Sequence, residues 1–354
     1  MNDNIIFIVY SQTMNEADFQ RLKQVLSEPK KVAIVTHRNP DGDAYGSSLG
    51  LYWFLVKTGH QVTVVSPNDC PQFLKWLPGE DNIEIFEANH ERGKEIMHAA
   101  ELVFTLDFNA FHRLGEVMEP VMKEIHPVYV MIDHHQQPDD YADFAFVDSS
   151  MSSTSEMVYQ FIERLGQKEL IDKDIASCLY AGILTDTGSF RFPATTSATH
   201  RVVANLLDKG ANNADIYNRI HDVNTYNRMQ LLGRALDNMV VLDKFHTAYI
   251  TLSQNELNRY KFQRGDTEGF VNYALSIKNV MFAAIFIEDK KQKIVKISFR
   301  SVGEFSVNEF ARNHFDGGGH VNAAGGRSLL SLNDTVNKFV GILPSLTNEL
   351  IFSS

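Results

Sequence analysis

The hydrophobic positions of this chain fall into short apolar runs separated by longer amphipathic stretches. Three runs, at residues 32–36, 102–106 and 128–132, are nearly continuous rather than alternating. Such runs are typical of strands buried on both faces, as in a parallel sheet. The stretch 44–57 has helical length and is followed by Gly59 at a suitable C-cap position. This β-α-β-α order predicts an α/β fold with an N-terminal doubly wound, mainly parallel sheet.

A change of pattern near residue 243 predicts a second, smaller α/β domain. Strand-like segments there span residues 247–252, 281–287 and 293–300, and a charged stretch of hairpin-loop length separates the last two. The chain of 354 residues is also long for a single core. We therefore predict an N-terminal domain over residues 1–200, a helical linker over 201–240 and a C-terminal domain over 241–354.

Composition narrows the class of protein without identifying a function. Apolar residues make up 44% of the chain, which suffices for a sizeable core. Lys and Arg number 33 against 44 Asp and Glu, and the resulting net charge of -11 argues against binding of long duplex nucleic acid. The two cysteines, Cys70 and Cys178, form neither a CxxC pair nor a disulfide framework. We therefore expect a cytoplasmic protein.

An apolar run over residues 5–10 is the strongest hydrophobic feature near the start of the chain. It lacks a basic flank and is too short for a signal peptide or a membrane span. We expect it to be an added strand or a loose leader. No other stretch reaches transmembrane length, so we expect no membrane association.

Acidic and imidazole residues follow the apolar runs, where the strands should end. In chain order they are His37, Asp41, Asp43, Asp107, Asp133, His134, His135 and, after an apolar stretch at 176–183, Asp186. Loops at the C-terminal ends of parallel strands converge on one crevice, so these side chains are expected to meet. Imidazole nitrogens and carboxylate oxygens suit Mn²⁺, Mg²⁺ or Zn²⁺, and the set indicates a two-metal site.

Each of these residues also has a structural interpretation. The segment Asn39-Pro40-Asp41-Gly42 is by itself typical of a turn. Asp107 and Asp186 are each placed to cap a helix, and a structural histidine would account for one of the pair that follows Asp133. The metal interpretation rests on the set, because independent caps would not require all of these residues to fall at one edge.

The adjacent residues His134 and His135 are expected to have different roles. Neighbouring side chains on an extended segment point to opposite sides, so the two imidazoles cannot easily share one function. One would bind metal while the other faces the substrate. Asp133 is placed to orient one of these imidazoles without binding the metal itself.

The second domain carries a candidate anion site. The glycine triplet 317–319 would let backbone N–H groups approach an anion closely, and His320 adds a donor. Arg300, at the end of a predicted strand, could form two hydrogen bonds to a phosphate. The alternatives are a flexible turn for the glycines and a surface salt bridge for Arg300.

These motifs resemble those of the DHH phosphoesterase superfamily, whose naming motif Asp133-His134-His135 matches. The segment Gly317-Gly318-Gly319-His320, followed by Asn322-Ala323-Ala324-Gly325-Gly326, resembles the DHH-associated C-terminal domain of that superfamily. The likeness covers nearly the whole chain from about residue 18. Length and layout are most similar to the nanoRNase and pAp phosphatase branch.

The resemblance implies specific roles for the residues that match the motifs. It implies two divalent metal ions, usually Mn²⁺ with Mg²⁺ as the alternative, and a bridging role for Asp107. The implied ligands are His37, Asp41, Asp43, Asp107, His134 and Asp186. His135 would face the scissile phosphate, and Asp133 would orient an imidazole. The implied substrate-binding residues are Arg300, Asn308, Gly317, Gly318, Gly319 and His320, although an isolated Asn such as Asn308 is also typical of a cap.

We therefore expect a metal-dependent phosphoesterase that uses an activated water. Its expected substrates are short oligoribonucleotides, linear dinucleotides such as pApA and pGpG, and 3′-phosphoadenosine 5′-phosphate (pAp). A single-strand exonuclease of the RecJ type would need further domains and a basic channel, neither of which is evident. An exopolyphosphatase or pyrophosphatase would use the same metals, and a noncatalytic nucleotide sensor would use the same fold. The sequence leaves the preferred substrate and the oligomeric state, including a homodimer, open.

Overall fold

Six parallel strands and one short antiparallel edge strand form the sheet of the N-terminal part of the chain. The structure, a computed structural model, describes residues 11–12, 14–347 and 349–350, so the apolar run at 5–10 lies outside the described residues. The strands are β1 (Ser11–Gln12), β2 (Lys31–Val35), β3 (Gln61–Ser66), β4 (Ile83–Ile85), β5 (Leu102–Leu106), β6 (Val128–Asp133) and β7 (Phe144–Asp148). Their order across the sheet is β1-β7-β6-β5-β2-β3-β4. The three apolar runs thus form β2, β5 and β6, which confirms the predicted parallel sheet.

Helices cover both faces of this sheet. They are α1 (Glu16–Val25), α2 (Gly42–Lys57), α3 (His90–Ala99), α4 (Glu119–Glu124), α5 (Thr154–Arg164), α6 (Lys173–Asp186), α7 (Ser197–Asp208) and α8 (Asn213–His221). Ile34 and Phe104 pack in the core formed with α2, α5 and α6, whereas Ala33 and Val103 pack with α3 and α4 on the other face. Alternate strand residues therefore enter two different cores, which is why the runs are continuously apolar.

The strand order reverses between β2 and β5. The chain leaves β2 towards β3 and β4 on one side, whereas β5 continues to β6 and β7 on the other. In open α/β sheets the ligand crevice lies at such a switch point, outside the C-terminal ends of the strands. The residues that follow β2, β5 and β6 are those for which a site was predicted.

Helices α2 and α6 approach each other backbone to backbone. A Cβ atom added to Gly46 would lie 2.5 Å from the carbonyl oxygen of Cys178 and 2.8 Å from the nitrogen of Gly182. Such distances leave no room for a side chain, so glycine is required there. This close packing fixes the end of α6 relative to α2.

The C-terminal part of the chain forms a six-stranded sheet in the order β12-β13-β11-β10-β9-β8. Its strands are β8 (Val240–Leu242), β9 (Thr247–Leu252), β10 (Phe282–Asp289), β11 (Ile294–Ser301), β12 (Gly318–Gly319) and β13 (Ala323–Ser328). Its helices are α9 (Tyr226–Asp237), α10 (Gln254–Arg259), α11 (Phe270–Leu275), α12 (Val307–His314) and α13 (Leu332–Ile342). Strands β9 and β10 are parallel, and β10 and β11 form the expected hairpin. The smaller α/β domain is therefore confirmed.

The chain divides into two compact units, Met1–Val223 and Asn224–Ser354. The stretch predicted as a helical linker, residues 201–240, includes most of α7, all of α8 and all of α9. Helices α7 and α8 belong to the first unit and α9 to the second. The predicted bounds 1–200, 201–240 and 241–354 stay a prediction. Among the described helices, none combines the length and apolar character that a bilayer crossing requires.

Candidate active site

The strand register brings the predicted residues to one edge of the first sheet. Val35 of β2 lies opposite Thr105 of β5, and Leu106 lies opposite Ile132 of β6. The three strands therefore end in line, and the residues that follow them leave the sheet at the same edge.

Asp107 lies between two imidazoles. Its Oδ2 is 3.4 Å from Nε2 of His37, and its Oδ1 is 3.4 Å from Nε2 of His134. The residue is buried and has a φ of 64°, a strained conformation for a residue other than glycine. The alternative role as a helix cap does not apply, because the nearest helical turn starts at Phe111 and has Ala110 at its N-cap. One carboxylate is thus shared by two groups of ligand-type side chains.

These two groups each bring their ligand atoms within 4.8 Å of one another. The first consists of His37, Asp41 and Asp107, and the second of Asp43, Asp107 and His134. Asp186, at the end of α6, extends the second group, because its Oδ2 lies 3.4 Å from Nε2 of His134. The structure therefore brings together all six residues for which metal binding was predicted.

Backbone carbonyls orient both imidazoles. Nδ1 of His37 lies 2.9 Å from the carbonyl oxygen of Arg38, and Nδ1 of His134 lies 3.1 Å from that of Met151. Since a carbonyl can only accept, Nδ1 carries the proton in each neutral ring, and the lone pair of Nε2 faces the carboxylates. Within the described part of the chain, the buried Nε2 of His37 makes no hydrogen bond. This arrangement fits a metal ion, which such a nitrogen would coordinate.

Asp43 is held by the N-terminus of α5. Its Oδ2 accepts the backbone N–H of Thr154 at 2.6 Å, and its Oδ1 accepts that of Ser155 at 2.9 Å. The hydroxyl of Thr154 also donates to Oδ1 of Asp107 at 3.1 Å. One helix end therefore positions two of the buried carboxylates. No motif around Asp43 or Asp107 indicates this contribution, although Ser153 and Glu156 have the spacing of a helix start and Ser153 is the N-cap.

Asp41 serves as the N-cap of α2. Its Oδ1 accepts the backbone N–H groups of Asp43 and Ala44, both at 3.1 Å. The same oxygen lies 3.9 Å from Nε2 of His37. This capping role is compatible with a place beside the imidazole because a carboxylate oxygen has more than one lone pair.

The site is short of positive charge. Burial and the neighbouring carboxylates of Asp107 and Asp186 raise the pKa of Asp43 well above its usual value. Burial alone would lower the pKa of His134, but the facing carboxylates raise it well above the ordinary value, with Asp186 contributing most. Such shifts arise where carboxylates crowd together in a poorly solvated place. A bound divalent cation would relieve this repulsion, so the residues fit a metal centre.

His135 belongs to a separate pair. Its Nδ1 lies 2.7 Å from Oδ1 of the fully buried Asp133, and its Nε2 lies 3.4 Å from a guanidinium nitrogen of Arg113. Burial lowers the pKa of His135, and the nearby Arg113 lowers it further. The imidazole is therefore neutral near pH 7, with its proton on Nδ1 and a lone pair on Nε2. His134 and His135 thus have different hydrogen-bond partners, although Nδ1 of His135 also lies 3.8 Å from Oδ1 of Asp107.

The glycine-rich segment of the second unit is part of a strand pair. Gly318 and Gly319 form β12 and pair with β13. A Cβ atom on Gly317 would lie 2.0 Å from the carbonyl oxygen of Gly325, so the close passage of the two segments requires glycine. The N–H of Gly319 donates to Oδ1 of Asn308 at 3.0 Å, and that of His320 donates to a backbone carbonyl at 2.7 Å. These two N–H groups are therefore already engaged within the unit.

Asn308 and Arg300 have structural contacts of their own. The buried Oδ1 of Asn308 accepts from Gly319 and also from Nε of Arg312 at 3.2 Å, so Asn308 positions the glycine segment. Arg300 is half-buried near the end of β11, and its guanidinium donates to the carbonyl oxygen of Phe299 at 2.9 Å. The roles in substrate binding that were predicted for Arg300, Asn308, Gly317, Gly318, Gly319 and His320 stay predictions.

Comparison with known proteins agrees with the motifs. The DHH family N-terminal domain matches residues 31–183, and the DHHA1 domain matches residues 243–340. The chain is 32% identical over 294 residues to the bifunctional oligoribonuclease and PAP phosphatase NrnA of Thermus thermophilus, and the match covers 83% of each chain. It is 29% identical over 322 residues to the NrnA of Bacillus subtilis, covering 89% of this chain and 95% of that one. The crystal structure of an exopolyphosphatase-related protein from Bacteroides fragilis is similar with a TM-score of 0.91 and 37% identity, covering 96% of this chain and 99% of the other.

Proposed function

Because this chain belongs to the DHH family, whose members are metal-dependent phosphoesterases, we propose that it hydrolyses short oligoribonucleotides, linear dinucleotides such as pApA and pGpG, and pAp. The similar NrnA proteins are described as oligoribonucleases and PAP phosphatases. The observation that carries the proposal is the buried carboxylate of Asp107, which faces His37 with one oxygen and His134 with the other. A shared carboxylate of this kind is suited to two metal ions held close together.

We assign one metal position to His37, Asp41 and Asp107, and a second to Asp43, Asp107, His134 and Asp186. Imidazole and carboxylate ligands without thiolates favour Mn²⁺, with Mg²⁺ as the alternative. When bound, the ions would neutralise phosphoryl oxygens and lower the pKa of a water molecule. The carbonyls that hold Nδ1 of His37 and His134 keep Nε2 of each ring available for this role.

His135 is proposed to act on the substrate. Its lone pair on Nε2 can accept a proton or a hydrogen bond, and the carboxylate of Asp133 on the opposite nitrogen would stabilise the imidazolium that results. Having taken up a proton, the ring can transfer it to the leaving oxygen. Asp133 is therefore a positioning residue and His135 a catalytic one.

The second unit is proposed to bind the phosphate of the substrate through side chains. Arg300 offers a guanidinium and His320 an imidazole, whereas Asn308 positions the glycine segment that precedes His320. Recognition of a terminal phosphate would favour short substrates. It would also explain how a chain with a net charge of -11 binds nucleotides in the cytoplasm without a broad basic surface.

The test is a substrate panel measured with the full chain and Mn²⁺. Values of kcat/KM are compared for pApA, pGpG, pAp, a short RNA, a long single-stranded RNA and polyphosphate. The Asp107→Asn variant, purified in parallel, reports contaminating nuclease. We expect the short phosphorylated nucleotides to be preferred and the variant to be inactive on them.

Three results would contradict this proposal in different ways. Equal activity on the long RNA would indicate a processive exonuclease. A preference for polyphosphate would indicate an exopolyphosphatase. Tight binding of nucleotides with no turnover in Mn²⁺ or Mg²⁺ would indicate a noncatalytic sensor.

A further inference from the structure

Arg113 places a positive charge beside the catalytic histidine without a carboxylate partner. It lies in the helical turn Phe111–Leu114, which follows β5 and Asp107. A nitrogen of its half-buried guanidinium lies 3.4 Å from Nε2 of His135. Among the described residues, no acidic side chain forms an ion pair with Arg113, whereas the neighbouring Arg38 pairs with Glu87. The guanidinium therefore has N–H donors that no carboxylate of the described residues accepts.

The turn that carries Arg113 is held rigidly. The ring of Phe111 packs 4.1 Å from that of Tyr141 and 5.7 Å from that of Tyr129, measured between centroids. Nδ2 of Asn109 donates to the carbonyl oxygen of Gln136 at 2.6 Å, which ties the turn to the loop after His135. Groups held in this way need little reordering when a ligand binds.

The backbone of Arg113 is tied to the first metal-binding loop as well. Its carbonyl oxygen accepts the N–H of Arg38, the residue after His37, at 2.8 Å. The position of Arg113 is thus linked by direct hydrogen bonds and ring contacts to the loops that follow β2 and β6. These contacts fix the position from which the half-buried side chain of Arg113 extends.

The contact between Arg113 and His135 is weak as it stands. At 3.4 Å it is long for a hydrogen bond, and it uses one of the five N–H donors of the guanidinium. A planar guanidinium matches the oxygens of a phosphoryl group in two parallel hydrogen bonds. A phosphoryl group that approaches Nε2 of His135 would therefore meet the free donors of Arg113.

We propose that Arg113 binds a non-bridging oxygen of the phosphoryl group that is cleaved, beside His135. This inference rests on the proposed phosphoesterase function and adds a substrate-binding cation within the first unit. In this role Arg113 would neutralise charge that grows on the phosphoryl oxygens as the bond breaks.

The test compares Arg113→Ala and Arg113→Lys with the wild type on pApA in Mn²⁺. The matched control is Arg92→Ala. Arg92 is an exposed residue of α3 that forms an ion pair with Glu95. We expect Arg113→Ala to lower kcat/KM by about 100-fold. Arg113→Lys should lower it by about tenfold, because lysine keeps the charge but lacks the planar guanidinium with its two parallel N–H donors. The Arg92→Ala control should match the wild type.

Two further measurements separate substrate binding from a structural role. Added guanidinium ion, at concentrations that leave the melting temperature unchanged, should restore part of the activity of Arg113→Ala and leave the control unaffected. Titration with AMP in the presence of Mn²⁺ should show weaker binding to Arg113→Ala, with unchanged Mn²⁺ affinity. Should Arg113→Ala unfold, an unchanged kcat/KM in Arg113→Lys overturns the proposal.

An Arg113→Ala variant that binds AMP and hydrolyses pApA like the control would overturn the role of Arg113 but not the proposed function. Absence of turnover in the wild type would instead contradict the proposed function. In that case the AMP titration still decides whether Arg113 binds a phosphate, so the two failures remain distinguishable.

Discussion

Oδ2 of Asp107 lies 3.4 Å from Nε2 of His37, and in the neutral Nδ1-protonated ring neither atom can donate a hydrogen bond to the other. Two acceptors held at this distance repel each other unless a proton or a metal ion lies between them. The other oxygen of Asp107 lies at the same distance, 3.4 Å, from Nε2 of His134. This carboxylate faces an imidazole on each side, so both proposed metal positions depend on Asp107.

The Asp107→Asn variant is expected to lose metal binding and hydrolysis but not its fold. Asparagine keeps the size and the bond from Thr154, but it removes the negative charge shared by both positions. We expect kcat/KM to fall by more than about 100-fold. Isothermal titration with Mn²⁺ and the melting temperature check this prediction. The control is Asp140→Asn, an exposed residue that follows the same strand as His135; activity retained in a folded Asp107→Asn variant would disprove the assignment.

The Asp133→Asn variant tests the pairing of Asp133 with His135. The Nδ1–H of His135 loses its charged acceptor, so the ring is no longer held in one tautomer or stabilised when it takes up a proton. We expect kcat to fall while Mn²⁺ binding stays at the wild-type level. If the two residues act as one unit, the double variant with His135→Ala should be no worse than His135→Ala alone. Additive losses would contradict the pairing.

The Gly46→Ala variant tests the close contact between α2 and α6. The added methyl group would lie 2.5 Å from a backbone carbonyl, which cannot move aside as a side chain could. We expect the free energy of unfolding to fall by about 1–3 kcal/mol. Gly233→Ala, where a Cβ atom meets nothing within 4 Å, is the matched control and should be neutral or stabilising. Chemical denaturation of both variants checks the prediction.

The Arg300→Ala variant tests recognition of a phosphate by the second unit. We expect KM for pApA to rise about tenfold because one charge-assisted interaction is lost, while kcat changes little. For a dinucleotide without the 5′-phosphate, the substitution should raise KM less. The control is Arg327→Ala, an exposed arginine paired with Asp316. An unchanged KM for pApA would show that Arg300 does not bind the terminal phosphate.

Glu256 is expected to make the stability of the second unit depend on pH. Burial would raise its pKa, but hydrogen bonds from Asn238, Ser253 and Arg234 outweigh burial and lower it from 4.5 to about 2. Because its pKa is lower in the folded state, Glu256 stabilises the fold at pH values above its ordinary pKa. This contribution is lost as the pH falls towards 2. At pH 7, Glu256→Gln should therefore cost about 1 kcal/mol. Thermal unfolding should show that the difference in stability between the wild type and Glu256→Gln becomes smaller below pH 4.5. A difference that grows there would contradict the assignment.

The hydrophobic pattern was sufficient to predict much of the architecture. Strand β9 spans the predicted residues 247–252, and the runs at 102–106 and 128–132 match β5 and most of β6. These elements are local consequences of which residues are apolar, because a strand buried on both faces must be apolar at nearly every position. The same reasoning placed the acidic and imidazole residues at the strand ends.

The pattern was less informative where a contact joins distant parts of the chain. Thr154 and Arg113 belong to no motif, yet one holds Asp107 and the other faces His135. A glycine triplet is typical both of an anion-binding loop and of a flexible turn, and only the structure shows that the N–H of Gly319 donates to Asn308. Which donors remain available depends on strand pairing, and that pairing is a long-range property.

The sequence was thus enough to identify the elements, the candidate metal-binding residue types and the family. Each of these depends on residues that lie close together in the sequence. The tertiary structure decided that Asp107 divides its two oxygens between His37 and His134. It also determined that the middle of α6 packs closely against the first turns of α2 at Gly46. Distances between side chains far apart in the sequence are set by packing and strand order, which no local pattern encodes.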